Sequence, residues 1–262
     1  MEKNDNTASL GRKIFFLHPA AIVQNHVIAE LTQEEFEVYI VKDEVKLRQS
    51  LKKYPASIVL ASINEGIRED AWEEWFRGIL SDEAISGLDI GIIASSADEK
   101  IKRKYIGQFN IRCGYTVLGA NVSAATKQLI DILNSANAKG RRKFMRALTD
   151  KETNTTVNLP MNGTFVHGNL RDISAVGFSC NFPEDPRIAK NSLFSDIQIR
   201  LQSQLLKAEG IVFGSRMNGD EKVYVILFSQ RISPDIRVRI RKYIQFWLQN
   251  KMDEEFKQIS RN

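Results

Sequence analysis

The sequence predicts two domains of different fold class: a doubly wound parallel α/β domain, followed by a small antiparallel β-barrel that ends in a helix. The first half alternates short apolar runs with amphipathic stretches five times, whereas the second half changes to period-two strands separated by turn signals. A length of 262 residues suits two domains, because a single hydrophobic core seldom grows beyond about 250–300 residues. A hydrophobic content of 43% with 26% charged residues is that of a globular chain rather than a disordered one.

Five apolar, β-branched runs in the first half are expected to form strands that are buried on both faces. They are residues 13–17, 38–41, 57–63, 89–94 and 112–118, and the helical candidates between them are residues 20–31, 45–54, 71–80, 98–107 and 123–136. The number, length and order of these elements resemble the receiver domain of two-component signalling. We therefore predict a receiver-like, five-stranded domain at residues 12–137, after a frayed lead-in at residues 1–11.

The chemistry of a phosphorylated receiver is missing from this half. Such a domain needs acidic residues after its first strand, an aspartate at the end of the third and a lysine at the end of the fifth. Here the strands end in LHP (residues 17–19), LAS (60–62) and VLG (117–119). Without carboxylates there is no site for a hard cation, and without an aspartate there is no nucleophile for phosphate. We expect no phosphotransfer, and we interpret His18 as a loop histidine.

Four other residues of notable chemistry are expected to be structural. Trp72 and Trp75 lie three residues apart and should pack against the sheet, with a partner or dimer surface as the alternative. Cys113 and Cys180 have no metal or redox spacing and are interpreted as buried thiols in a reducing, cytoplasmic setting. The polar N-terminus resembles no signal peptide, and no apolar run is long enough to span a membrane.

Charge is concentrated in the second half. Residues 1–137 carry 16 Lys and Arg against 19 Asp and Glu, whereas residues 138–262 carry 21 against 13. Five of the eight residues in KGRRKFMR (139–146) are basic, within a predicted linker at residues 138–147. A solvated charge run or a nucleic-acid patch would explain the charge alone. However, Arg142 and Arg146 lie four apart, on one side of a helix turn or strand, and can together grip a planar, multiply charged ligand.

The second domain is predicted at residues 148–262 as a barrel of about six strands. The candidates are residues 146–150, 164–172, 177–181, 196–201, 205–213 and 222–228. Asn162-Gly163 indicates a hairpin turn, and Ser233-Pro234 marks the start of a terminal helix expected to pack on the barrel. Arg216 falls in a predicted turn at residues 214–219, where it either extends the basic surface or is simply solvated.

Two motifs in this half carry a family resemblance. Arg142 and Arg146 form an R-x-x-x-R pattern, and Asp172, Ser174 and Gly177 form D-x-S-x-x-G after a predicted strand. Together they resemble the PilZ domain, a family of cyclic-di-GMP receptors, over about residues 139–250. The resemblance implies a six-stranded PilZ β-barrel with a terminal α-helix.

The resemblance also implies roles for these residues. The two arginines would clamp phosphates and the O6/N7 edge of guanine, and Asp172 would accept from guanine N1–H and N2–H₂. Ser174 would offer its hydroxyl to base or phosphate, and Gly177 would allow close approach. Arg141, directly before the first motif, is expected to favour a stacked, intercalated dimer of the ligand.

The sequence therefore favours a cytoplasmic cyclic-di-GMP receptor that is not an enzyme, needs no cofactor or metal and crosses no membrane. Ligand bound at the junction should re-orient the two domains and change contact with a protein partner, for example in flagellar, chemotaxis or secretion machinery. One alternative is a PilZ-like interaction module that binds no nucleotide. Another is a nucleic-acid-binding protein, although the basic half lacks interleaved aromatic residues. An enzyme is disfavoured because no nucleophile–base pair is evident.

Overall fold

A computed structural model describes residues 11–109, 111–140, 142–149 and 154–259. By their contacts these residues divide into two compact units. The first contains the described residues up to Lys143 together with those from Leu248 onward, and the second runs from Phe144 to Trp247. Apart from Gly11, the predicted lead-in lies outside the described residues. None of the helices in these ranges is long and apolar enough to cross a bilayer.

The first unit contains a parallel sheet of five strands in the order β2-β1-β3-β4-β5. The strands are β1 (Ile14–Leu17), β2 (Val38–Val41), β3 (Ile58–Ser62), β4 (Asp89–Ala94) and β5 (Tyr115–Val117). Both β1 and β3 are buried along their whole length, as expected for strands covered on both faces. The sheet confirms the predicted five-stranded, doubly wound fold.

Helices follow each of the five strands of this sheet. They are α1 (Ile28–Gln33), α2 (Glu44–Leu51), α3 (Glu69–Leu80), α4 (Glu99–Gln108) and α5 (Val122–Ser135). A π-helical turn, Val23–Val27, leads directly into α1. The side chains of Asp43, Asp98 and Asn121 accept hydrogen bonds from backbone N–H groups in the first turns of α2, α4 and α5. These caps satisfy donors that the helix itself leaves unpaired.

The two tryptophans of α3 belong to the core of the first unit. Trp72 is fully buried and Trp75 nearly so. Their ring centroids lie 5.9 Å apart in an edge-to-face arrangement, and Phe76 lies 5.3 Å from Trp75. The same core contains Phe15 and Val59 of the sheet. Packing against the sheet is therefore confirmed as the role of this aromatic pair.

The end of α5 shows that the first unit extends into the predicted linker. Asn137 takes a left-handed conformation with φ of 51°, and the N–H of Ala138 donates to the carbonyl of Leu133. Ala138 is buried, and the ammonium of Lys139 lies 4.5 Å from the ring centroid of Phe36. Residues 138 and 139 thus pack as part of the first unit, in a helix end of the kind that stabilises C-termini.

The terminal helix, α6 (Pro234–Ile259), begins at the predicted position. The sequence assigned all of it to the barrel domain, whereas the residues from Leu248 onward group with the first unit. There Met252 and Phe256 join the hydrophobic core. The Gln249 amide accepts from the Ile40 N–H at 2.8 Å and donates to the Ile40 carbonyl at 3.0 Å. Because β2 is an edge strand, this amide pairs backbone groups that would otherwise be open to another chain.

The second unit is an antiparallel barrel. Its strands are β6 (Arg146–Leu148), β7 (Thr155–Met161), β8 (Thr164–Ser174), β9 (Gly177–Asn181), β10 (Leu193–Leu201), β11 (Gln204–Asn218) and β12 (Glu221–Phe228). Six of them, β8-β7-β10-β11-β12-β9, form a ring that closes through pairing of β8 with β9, and β6 pairs with β8 beside it. The predicted six-stranded barrel is confirmed.

Two strands of the barrel differ from the prediction. The predicted set omitted β7 and counted the strand at Arg146, which lies beside the ring. Asn162 and Gly163 form the predicted hairpin turn between β7 and β8, with φ of 50° and 78°. β11 continues to Asn218 through a bulge near Gly214, so that the predicted turn at residues 214–219 is strand for most of its length.

Both cysteines are free and buried, as predicted. Burial raises the pKa of the Cys113 thiol to about 11 and also raises the pKa of the Cys180 thiol. Both therefore remain protonated at neutral pH, which fits inert structural thiols.

Replacing Gln249 should loosen the edge of the first sheet. Gln249→Ala removes both hydrogen bonds to Ile40, and a lost hydrogen bond costs about 1–3 kcal/mol when a partner is left unsatisfied. We expect amide exchange at Ile40 to accelerate by about 10- to 100-fold in hydrogen-exchange NMR. Asn250→Ala, one position further along α6, is the matched control. Equal exchange in the two variants would show that the amide does not protect this edge.

Candidate ligand-binding site

The D-x-S-x-x-G motif lies where strand β8 has a hydrogen-bonded neighbour on each side. β6 runs along one side and sets Arg146 opposite Ser174. β9 runs along the other side and sets Ser179 opposite Asp172. Ile173 is fully buried in the barrel, so Asp172 and Ser174 occupy the outer face. The short strand β6 thus brings the end of the R-x-x-x-R motif next to the second motif.

The acid and the arginine form a partly exposed ion pair. Arg146 Nη1 lies 3.6 Å from Asp172 Oδ1, and the two side chains are 48% and 17% exposed. The Ser179 hydroxyl donates to the other carboxylate oxygen, Oδ2. A carboxylate offers about four acceptor positions, so Asp172 keeps capacity for further donors.

The side chain of Ser174 makes its hydrogen bonds within the turn that joins β8 and β9. It is only 4% exposed. Its Oγ donates to the Gly177 carbonyl at 3.0 Å and accepts from the Val176 N–H at 3.4 Å. The hydroxyl has one proton, and the turn uses it. In this structure Ser174 therefore stabilises the turn that positions Asp172.

Gly177 is required by strand packing. A Cβ at this position would lie 2.4 Å from the carbonyl oxygen of Ile226 and 3.0 Å from the Cα of Leu227, both on β12. The backbone of Gly177 is not left-handed. The glycine thus permits β9 to lie against β12, which closes the barrel below the motif.

Two further arginines, Arg141 and Arg142, were predicted for the site. Arg142 is exposed, and within the described ranges it has no ion-pair or hydrogen-bond partner. Arg141 lies outside the described residues. The structure therefore brings together Arg146, Asp172, Ser174 and Gly177 of the predicted site and leaves the grouping of the other two arginines with them as a prediction.

A surface cavity of about 390 Å³ lies beside Asp172. Its lining is mixed polar and apolar: Leu148, Thr149, Arg171, Asp172, Ser179, Arg216, Asn218 and Val223. Of these eight residues, Asp172 alone was predicted as a site residue, and the polar side chains of Ser179 and Arg216 are among those that were missed. Ser179 could have been found, because a two-residue hairpin loop between Ser174 and Gly177 sets it opposite Asp172. Arg216 was assigned to a turn because the bulge near Gly214 gives no clear sequence signal.

The carboxyl edge of the first sheet is filled by packing. His18 follows β1 with φ of 49°, and its Nε2 lies 3.0 Å from Glu44 Oε2. The ring meets Trp72 edge-on at 5.8 Å. It also lies so close to Gly66 that a Cβ there would be 2.2 Å from the ring. Within the described ranges, no three His, Cys, Asp or Glu side chains are grouped as a metal site requires.

A comparison with protein families finds a match that covers nearly the same residues as the second unit. Residues 140–246 match the family model of the PilZ domain. This match confirms, over residues 140–246, the resemblance carried by the two motifs.

Solved structures with PilZ domains are similar to part of the chain. YcgR from Escherichia coli in complex with c-di-GMP matches at 15% identity and a TM-score of 0.39, over 46% of this chain and 51% of that one. The PilZ domain of YcgR with c-di-GMP matches at 13% and 0.37, over 44% and 96%. The MrkH–c-di-GMP complex from K. pneumonia matches at 16% and 0.36, over 48% and 57%. The match thus spans about half of the YcgR and MrkH chains in these two complexes. No relative was found among curated protein sequences.

The packing of Gly177 can be tested against a second glycine of the barrel. In Gly177→Ala, the new methyl group must displace the backbone of β12, and overpacking of this kind costs about 1–3 kcal/mol. At Gly214 an added methyl group would have no heavy atom within 4 Å, and the φ there is open to alanine, so Gly214→Ala should change stability by less than about 1 kcal/mol. Calorimetric unfolding of both variants measures the difference. Equal melting temperatures would refute the role of this contact.

Proposed function

We propose that the protein is a cyclic-di-GMP receptor, and not an enzyme, that binds its ligand on the outer face of the PilZ barrel. The observation that carries the proposal is the pairing of β6 with β8, which places Arg146 beside Asp172 within a PilZ domain. Arg142, exposed and four residues earlier, completes the R-x-x-x-R motif. In similar solved structures, YcgR and MrkH are described in complex with c-di-GMP.

The chemistry of this pair suits guanine. A guanidinium can bind the O6/N7 edge in bidentate fashion. A carboxylate can accept from N1–H and N2–H₂, which lie on the other side of O6 on the same base. Arg146 and Asp172, 3.6 Å apart, are close enough to address these two adjacent edges of one base. Adenine offers no acceptor at position 6 and no N1–H, so the same pair disfavours it.

Phosphate binding is assigned to the exposed arginines of the first motif. Arg142 is free among the described residues to pair with a phosphate, for which a guanidinium is well shaped. We further propose that Arg141 supports a stacked, intercalated ligand dimer. A stoichiometry of two ligands per chain would support this part of the proposal, and a stoichiometry of one would contradict it.

Binding should depend on the pair and on the base. We expect Arg146→Ala and Asp172→Ala to weaken cyclic-di-GMP binding by about 10- to 100-fold in calorimetric titration, because each removes a charge-assisted hydrogen bond worth about 1.5–3 kcal/mol. Cyclic-di-AMP should bind the wild type no more tightly than cyclic-di-GMP binds these two variants. Arg200→Ala, on β10 outside the cavity, is the control.

The outcomes separate the alternatives. A wild type that shows no saturable binding at micromolar cyclic-di-GMP would contradict the receptor function and favour an interaction module without nucleotide. Salt-sensitive binding to unrelated RNA or DNA in its place would favour a nucleic-acid-binding protein.

Ligand occupancy is proposed to act through the arrangement of the two domains, with a contact to a protein partner as the output. Motility, attachment and exopolysaccharide control are the outputs that a PilZ domain suggests. The segment that carries Arg142 and Arg146 joins the two units along the chain, so a ligand that engages both arginines restrains that segment.

This coupling predicts a change in solution scattering. We expect the radius of gyration of the full chain to shift at saturating cyclic-di-GMP, and Asp172→Ala, which should bind more weakly, to show a smaller shift at the same ligand concentration. Superimposable curves for a wild type that calorimetry shows to be saturated would refute the coupling and leave the binding function intact.

A further inference from the structure

Arg216 lies on the same outer face of the barrel as the motif acid. Ser179, opposite Asp172, faces Val225 on β12, and Val225 faces Gly214 on β11. Arg216 follows Gly214 by two residues on the same strand and so points to the same side. Adjacent strands lie about 4.8 Å apart, which places the backbone of β11 roughly 14 Å from β8 along the sheet.

The surface between these two strands is open. Gly214 has nothing within 4 Å of the position a Cβ would take. Arg216 and Asp172 line the same cavity of about 390 Å³, which also contains the apolar side chains of Leu148 and Val223. A long, planar ligand that begins at Asp172 therefore has a path across β9 and β12 toward Arg216.

The cavity has three arginines in or beside it, and they differ in their partners. Arg146 pairs with Asp172, and Arg171 Nη1 lies 3.2 Å from Glu221 Oε2. Arg216 is exposed, and in the part of the chain that the structure describes it has no ion-pair or hydrogen-bond partner. Its charge can therefore bind an anion without first breaking an ion pair.

We propose that Arg216 is a phosphate-binding residue of this site, outside both sequence motifs. This inference rests on the proposed function, because it takes the ligand to be a guanine dinucleotide whose base is held at Asp172. The guanidinium suits a phosphate, which it can bind through two parallel hydrogen bonds. The ligand class assigned to the site is thus one that carries an anionic phosphate at a distance from its guanine.

The test compares titrations of cyclic-di-GMP into the full-length wild type, Arg216→Ala, Arg216→Gln and Arg200→Ala. We expect both Arg216 variants to raise Kd by about 10-fold, in line with one lost charge-assisted hydrogen bond. The dependence of Kd on salt concentration should be weaker in both Arg216 variants than in the wild type, because a charge–charge contact that salt screens has been lost. Arg200→Ala removes the same charge from β10 and should change neither quantity. Arg216→Gln keeps the length of the side chain, so it isolates the charge if the alanine variant lowers the melting temperature.

The two levels of the proposal fail differently. A wild type that does not bind cyclic-di-GMP overturns the proposed function and this inference with it. A wild type that binds, with Arg216→Ala and Arg216→Gln matching Arg200→Ala in Kd and salt dependence, overturns the role of Arg216 and leaves the function standing.

Discussion

The pairing of β8 on both of its edges is the constraint on which the candidate site depends. Over Asp172–Ser174 the strand lies between β6 and β9. Strand pairing therefore occupies the backbone of this segment from both sides, and the side chains of the outer face are what remains for a ligand. The same pairing closes the barrel and fixes Arg146 beside Asp172. Fold and site are thus set by one set of hydrogen bonds.

Sequence was most informative where a local pattern decides the structure. The parallel strands of the first unit are mostly apolar, and Ser233-Pro234 marks the residue at which α6 begins. The turn at Asn162-Gly163 has the two positive φ angles that this dipeptide favours. In each case the residues that give the signal also make the structure, so that the prediction needs no distant partner.

Prediction from the sequence failed where contacts with residues far away in the chain determine the structure. β7 contains Pro160, which argues against a strand, but β10 pairs with β7 only over Thr155–Asn158, and the proline lies beyond that pairing. The periodicity of α6 is compatible with burial against either unit, and the choice made by Met252 depends on a core built from residues far earlier in the chain. Arg216 lines the cavity beside Asp172 because a bulge keeps β11 paired after Gly214. These features depend on tertiary contacts, which a single stretch of sequence does not specify.

The candidate site combines a buried turn, which contains Ser174 and Gly177, with a more exposed arginine, Arg146. Ser174 is buried with two hydrogen bonds, and leaving such a group unsatisfied costs about 1–3 kcal/mol, while Gly177 tolerates no added atom. The ion pair between Arg146 and Asp172 is different, since the arginine is half exposed and exposed pairs contribute only about 0–1 kcal/mol. The Arg146 side chain can therefore leave its ion pair and turn toward a ligand at little cost in free energy. The buried turn beneath it stays in place. Under the proposed function, affinity would depend on how many guanidinium groups reach the anionic groups of the ligand, because the buried turn is already formed before binding.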